Sequence, residues 1–317
     1  MHSILKSLRF CSVLLALAQL ASGTEYTVSS SVDDGSAGTL RSLIANAASG
    51  DKITIPEGLS VEINSRIPIT NAIQLSLVGA GSGATLYGNR SSASLTNGLF
   101  YINHAAANLT FDNLTITNGF AKGSGGAFFI NNCSNATTFV RCRFLSNQSG
   151  ASGGAMYLMQ KINLNDCAFT NNTAATYGGC FDLTMDNAYA QNITRSGVLV
   201  STNCSFFGNI AGNGGGVVTT AEHSRWVALD INGWTCVSNS AAQGGCFNLN
   251  TTNLIQNCLF EGNSITGSLG SVANIFRGTR TVFKGCTFKN NKTTNTGAIV
   301  TRTSVSILDC VFDGNIN

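Results

Sequence analysis

Few side chains in this chain could do chemistry. The repeated part offers Asp166, Asp182, Asp186, Glu222, Asp230, Glu261, Asp309 and Asp313, and beyond residue 23 the histidines are His104 and His223. Hydrolysis of a glycosidic bond needs two carboxylates about 5–10 Å apart. Eliminative cleavage needs an acidic cluster that holds calcium and a basic proton acceptor. Asp182, Asp186, Glu222 and His223 flank the two longest intervals of the repeat, so a catalytic centre would lie there if the protein is an enzyme. A binding role would fall to Tyr189, Arg195, Arg225 and Trp226, which bring rings and guanidinium donors to the same two stretches. Cys-x-x-Cys is absent and no histidine clusters with cysteine, so neither a metal nor a cofactor is expected.

The elements that must position these residues follow from a repeat. C-x-F-x-x-N occurs at Cys142/Phe144/Asn147, Cys167/Phe169/Asn172, Cys204/Phe206/Asn209, Cys258/Phe260/Asn263, Cys286/Phe288/Asn291 and Cys310/Phe312/Asn315. A further copy, Trp234/Cys236/Asn239, exchanges the first two types. Between them runs G-G-x-φ, with φ apolar, at Gly125-Gly126, Gly153-Gly154, Gly178-Gly179, Gly215-Gly216 and Gly244-Gly245, weakening at Gly270-Ser271 and Gly297-Ala298. The asparagines fall 25, 37, 30, 24, 28 and 24 residues apart, the period of a solenoid. Residues two apart share a strand face, and the apolar runs are strand-length. Three short strands with Asn and Gly at the corners predict an all-β fold: a right-handed single-stranded parallel β-helix with coils of about 25 residues. Phe then stacks on Phe inside, and Asn bonds to Asn along a corner. Extra residues in the 37- and 30-residue intervals, around Thr184–Ser196 and Thr220–Ala228, loop outward from adjacent coils.

Stacked cysteines one coil apart come within disulfide range. Cys142–Cys167 and a pair from Cys258, Cys286 and Cys310 could bridge; Cys180 and Cys246 are two coils apart and cannot, and Cys133 and Cys236 lack an evident partner. Buried thiols acting as apolar filler are the other reading.

G-G-A-φ with F-x-x-N, over roughly residues 110–317, resembles the repeat of the polymorphic outer-membrane proteins of chlamydiae and of related surface proteins in eukaryotic microbes. The resemblance implies a pectin-lyase-like β-helix serving as a surface-exposed, adhesin-like passenger. It implies no activity. Those bacterial proteins end in a membrane β-barrel, for which this sequence shows no segment.

Residues 1–23 read as a secretory signal peptide: Lys6 and Arg9 precede the apolar run Cys11–Leu20, with Ala21 and Gly23 before a cleavage point. Residues 24–58 hold an N-terminal cap and a first strand, with Leu40, Leu43, Ile44 and Ala47 on one helical stripe. This stretch resembles the G-S-L-R-x-A-I-x-x-A-N-x-G-D-x-I opening segment of many secreted β-helices. Residues 59–317 form the β-helix: irregular early coils over 60–120, regular repeats from about 110. Pro56 and Pro68 precede the repeats, as ladder bonding requires.

Charged residues make up 10% of the chain against about 25% in typical domains. The net charge of +3 falls near +1 without Lys6 and Arg9, which excludes an electrostatic case for nucleic acid. No membrane span is expected in the mature chain. Eleven N-x-S/T sequons occur, at Asn89, Asn108, Asn113, Asn132, Asn135, Asn147, Asn171, Asn192, Asn203, Asn250 and Asn291. Polygalacturonase signatures (N-T-D, G-H-G, R-x-K) are missing, and the sole Asp-Asp is Asp33-Asp34. The expectation is a secreted or cell-surface, non-enzymatic β-helix that binds carbohydrate or a surface protein along its side. A polysaccharide lyase or hydrolase is the alternative. A structural wall or shell component, self-associating through an uncapped C-terminal end, is the third reading.

Overall fold

The computed structural model describes residues 23–131, 135–184, 199–220, 229–276 and 280–316. The chain forms a right-handed parallel β-solenoid of about nine turns. The coils between Phe120 and Leu269 pass in turn through four sheets, and those before and after through three. Sheet I has eleven strands, sheet II ten, sheet III six and sheet IV nine. Every paired strand meets its equivalent one coil on, in parallel; thus Phe144 lies against Phe169, and Phe169 against Phe206.

The middle coils have four strands rather than the expected three, because residues just after the corner asparagine, such as Gln148–Ser149 and Thr173–Ala174, form the short strands of sheet III. The early coils lack that strand, which begins at Phe120, but share the register of the other sheets. Val61 pairs with Leu86, Leu86 with Ile116, and Ile116 with Phe144, so the register of sheet II runs unbroken into the repeats. Apolar alternation alone sets that register, since a slip of one residue would expose every inward side chain. Pro68 lies in Ile67–Ile69, the edge strand of sheet IV, where its missing N–H interrupts least. The helix spans Leu40–Asn46, with Thr39 as N-cap, and Leu40 and Ile44 enter the core.

The repeat motif has a conformational logic. Two columns of left-handed residues flank the sheet II strand of each coil. Asn113, Arg141, Asp166 and Asn203 belong to the first; Asn118, Ser146, Asn171 and Gly208 belong to the second, all with φ between 50° and 63°. Asn, Asp and Gly dominate both columns because they enter this region at least cost. Between the columns, Phe144, Phe169 and Phe206 point inward and stack at 4.5 and 5.1 Å; Phe260, Phe288 and Phe312 stack at 5.1 and 4.6 Å. Phe312 is still 49% exposed.

The exchanged copy closes the gap between the two Phe stacks. Cys236 occupies the Phe register, while the Trp234 ring packs 4.2 Å from Phe206 and donates Nε1–H to Ser201 Oγ at 2.8 Å. The swap conserves core volume, which is the substitution a close-packed interior tolerates best.

Beside the rings stands the expected amide ladder: Asn147, Asn172, Asn209, Asn239, Asn263, Asn291 and Asn315. Asn172 Nδ2 donates to Phe144 O and Asn209 Oδ1, both at 3.0 Å, while its Oδ1 accepts from Asn147 N at 3.1 Å and Asn147 Nδ2 at 3.0 Å. Both donors and both lone pairs are thus used, which lets a polar side chain be buried without penalty.

The glycine pairs turn the chain from sheet III into sheet IV. The first glycine has positive φ, +64° at Gly178. A Cβ on the second, Gly179, would lie 2.1 Å from Gly216 O in the next coil. The second place is filled by Ser271 in the weakened copy near the end of the chain.

Candidate functional site

Sheet IV carries the feature that departs from a plain scaffold. Its strands keep apolar residues inward, and the middle residue of each points out. Read along the axis, the outward row is Pro68, Tyr101, Phe129, Tyr157, Asp182, Thr219, Asn248, Asn274 and Val300. Adjacent rungs are spaced at about 4.8 Å. The first half is aromatic: the rings of Tyr101 and Phe129 are 5.8 Å apart, and those of Phe129 and Tyr157 5.0 Å, with Arg66 over Tyr101 at 4.5 Å. The second half is polar, and although it faces outward it is almost fully buried: Asp182 is 5% exposed and Asn274 2%.

The polar half forms the floor of a cleft of about 430 Å³. Tyr177 and Asn213 form one wall with Gln243, and Thr220, Asn250 and Phe276 the other. Tyr177 is 41% exposed at the rim. Thr219 Oγ1 donates to Gly214 O at 2.7 Å, and Asn250 Nδ2 to Thr220 O at 2.9 Å. Asn274 Nδ2 donates to Asn248 Oδ1 at 3.0 Å and Gln243 Oε1 at 3.3 Å. These bonds fix the floor. Asn248 lines the cleft, and its Nδ2, packed beside Gly214, has no protein acceptor among the described residues.

Asp182 dominates the electrostatics. Burial raises its carboxyl to about 6, against the opposing pull of the Ser152 and Thr184 hydroxyls. Thr184 Oγ1 donates to Asp182 Oδ1 at 3.4 Å. Tyr157, one rung back, is raised by burial and by the Asp182 charge. A carboxyl that holds its proton into mildly acidic solution, beside a phenol, can act as an acid or as a hydrogen-bond donor.

Of the residues singled out from the sequence, Asp182 lies in this cleft. Asp186, Tyr189, Arg195, Glu222, His223, Arg225 and Trp226 lie outside the described residues. The strands that lead into their two segments, Phe181–Leu183 and Val218–Thr220, are adjacent and in register. Tyr157, Asn248 and Asn274 were not foreseen. Each stands one residue past the φ of its G-G-x-φ motif (or the weakened form), so counting one place further exposes the outward row from Phe129 on. Glu261 and Asp313 are held apart by Lys289, whose Nζ is 3.4 Å from Glu261 Oε1. His104 Nδ1 accepts from Ala106 N at 3.1 Å, a local turn bond.

The nine described cysteines are free, and eight of them are buried. Cys236 and Cys246 are both free, and burial together with the neighbouring Cys246 thiol raises Cys236 far above the usual thiol range. Among the described residues no three His, Cys, Asp or Glu side chains gather where they could hold a metal, and no helix is long and apolar enough to cross a membrane. A second groove of about 380 Å³ runs beside sheet II, where Arg141 is paired with Asp112 at 2.6 Å.

No protein-family model matches the sequence, and no curated protein matches it. Among solved structures, a pectin methylesterase in complex with a hexasaccharide superposes with a TM-score of 0.36 at 14% identity, over 88% of this chain and 80% of the other. An alginate lyase from Paenibacillus sp. str. FPU-7 gives 0.34 at 12%, over 92% and 99%. The catalytic domain of a GH87 α-1,3-glucanase, in complex with tetrasaccharides, gives 0.35 at 15%, over 94% and 70%. At these identities the likeness is one of fold alone. The parallel β-helix rests on the strand pairing of this chain itself.

Proposed function

We propose that this protein acts outside the cell and binds carbohydrate along sheet IV, with a chain of sugars lying parallel to the solenoid axis in the 430 Å³ cleft. One observation carries the reading: an outward row that changes from aromatic to buried polar side chains, one per rung, with fixed amides at Asn248 and Asn274 and an Asn248 Nδ2 that has no acceptor among the described residues. Sugars present hydroxyls to such amides and C–H faces to rings such as Tyr177. The low charge of the chain suits a neutral or weakly acidic polymer. An adhesin-like role at a cell surface is the biological form this binding would take.

The test is retention of the purified protein on immobilised neutral and acidic polysaccharides. Saturable retention on one polymer is expected. Asn248→Ala and Tyr177→Ala should each weaken it about tenfold, equivalent to about 1.4 kcal/mol. Phe207→Ala, at an exposed site off the cleft, should leave it unchanged. Absence of retention on every polymer, or equal loss in all three variants, overturns the reading.

The position and raised pKa of Asp182 favour a second reading, a polysaccharide hydrolase or lyase. Asp182 would protonate the leaving oxygen, and a second carboxylate about 5–10 Å away would be needed for hydrolysis. Product release from a retained polymer, lost in Asp182→Asn, would support this reading; retention without release would refute it.

A further inference from the structure

The sequons are not absorbed by any function so far, and the structure sorts them. N-glycosylation needs an asparagine Nδ2 that is free to attack and a position where a bulky polar graft can stand in solvent. Asn147 and Asn291 fail on both counts: each is fully buried in the amide ladder with its Nδ2 donating twice. Asn250 is buried in the cleft, and its Nδ2 is bonded to Thr220 O. Asn113 Nδ2 donates to Gly79 O and Gly81 O, both at 3.0 Å, and Asn89 Nδ2 to Glu62 Oε1 at 2.9 Å. Asn135 is exposed but leans on Ala106 O at 3.5 Å.

Asn132 and Asn192, the latter in the longest interval of the repeat, lie outside the described residues, and three described sequons remain: Asn108, Asn171 and Asn203. All are exposed, and none has a hydrogen-bond partner for Nδ2 among the described residues. Asn171 and Asn203 are corner residues with φ of 54°. Each rests its Oδ1 over the glycine one coil on, where a Cβ on Gly208 or Gly233 would approach to 2.6 or 2.9 Å. The oxygen is held against the protein and the nitrogen is presented outward. Asn108 begins the sheet I strand Asn108–Asp112, with its side chain and that of Thr110 on the same outer face.

We propose that Asn108, Asn171 and Asn203 are acceptor sites for N-linked glycans. The donor is a lipid-pyrophosphate-linked oligosaccharide in a eukaryotic secretory compartment. The asparagine Nδ2 attacks C1 of the first sugar, a C–N bond forms, the C–O bond to pyrophosphate breaks, and the amide proton passes to a base of the transferase. Asn108 lies where sheet IV turns into sheet I, Asn203 between sheets I and II, and Asn171 between sheets II and III. None lies on a strand of sheet IV. The glycans therefore clothe the other sides of the solenoid and leave the cleft face bare.

The test is translation of the full chain with eukaryotic microsomes, followed by recovery of the protease-resistant, lumenal protein. Enzymatic glycan removal in heavy-oxygen water then marks each occupied asparagine for mass spectrometry. Label at Asn108, Asn171 and Asn203, with none at Asn147, Asn250 or Asn291, is expected. Asn171→Gln should lose the mark at that site alone and still yield protease-resistant protein. Label at Asn147 or Asn291 in the resistant fraction overturns the proposal, as does its absence from the three sites. Failure of the chain to enter the microsomes overturns it as well.

Discussion

Asp182→Asn tests whether the cleft holds a carboxyl that the fold keeps from ionising. The displacement of its pKa from 3.8 to about 6 is caused by burial, at 5% residue exposure. At about 1.36 kcal/mol per pH unit, this corresponds to roughly 3 kcal/mol. The sign is set by which state binds the proton more readily. Between about pH 4 and 6 the folded protein holds the proton and the unfolded chain releases it. Stability is therefore greatest below about pH 4, falls through this window, and is lower by that amount above about pH 6. Asn keeps the shape and the hydroxyl contacts but carries no charge. The variant should match the wild type near pH 3.5 and exceed it by on the order of 3 kcal/mol at pH 8, read from denaturant midpoints at the two pH values. Carbon-13 NMR of the side-chain carboxyls should give one titration near pH 6 that vanishes in the variant. A wild-type midpoint near 4, or an equal stability difference at both pH values, would mean a solvated carboxylate. The electrostatic basis of the second functional reading would then be lost.

Other perturbations probe the scaffold. Asn209→Ala would strip the acceptor from Asn172 N and Nδ2 and the donors from Phe169 O and Asn239 Oδ1. A cost on the order of 4 kcal/mol is expected from denaturant midpoints, against less than about 0.5 for Asn108→Ala on the surface. Trp234→Cys should open a cavity costing about 3–5 kcal/mol, and Cys236→Phe should overpack by about 1–3. The double variant restores the motif of its neighbours and should cost clearly less than the sum of the two, as a double-mutant cycle on thermal midpoints would show. Gly179→Ala drives a Cβ against the Gly216 carbonyl and should lose folded protein in a circular-dichroism melt, whereas Gly123→Ala, with nothing within 4 Å, should melt like the wild type.

The architecture was legible because the side chains that build it recur at one per coil. Asn needs its neighbours above and below, Phe needs a ring to stack on, and the turn into sheet IV leaves little room for anything but glycine. Such residues leave a periodic trace. Sheet III left none: its strands are mostly two residues long and accept varied side chains, such as Gln148-Ser149 and Thr173-Ala174. The early coils left a fainter trace because Ile, Val and Leu fill the inward positions there without the Cys-Phe-Asn signature, although the sheet II pairing is the same. Asp182 could be found as a lone acid beside an insertion, but its raised pKa could not, since that depends on burial at an outward position. The outward row was hidden because its members share no chemistry, only a place in the pleat.

The amide ladder has one more consequence. Each rung, such as Asn209, accepts two donors from the coil before it, gives two bonds to the next asparagine and one back to a carbonyl of an earlier coil. Every interior coil therefore offers an acceptor on one side and the matching donors on the other, like a unit cell in a one-dimensional crystal. Removing or duplicating a whole coil restores the same contacts, however many residues loop out between asparagines. The 24- to 37-residue spacing already shows that tolerance. Length is thus a heritable variable that tandem duplication can alter without a new folding problem, and with it the number of outward rungs on sheet IV.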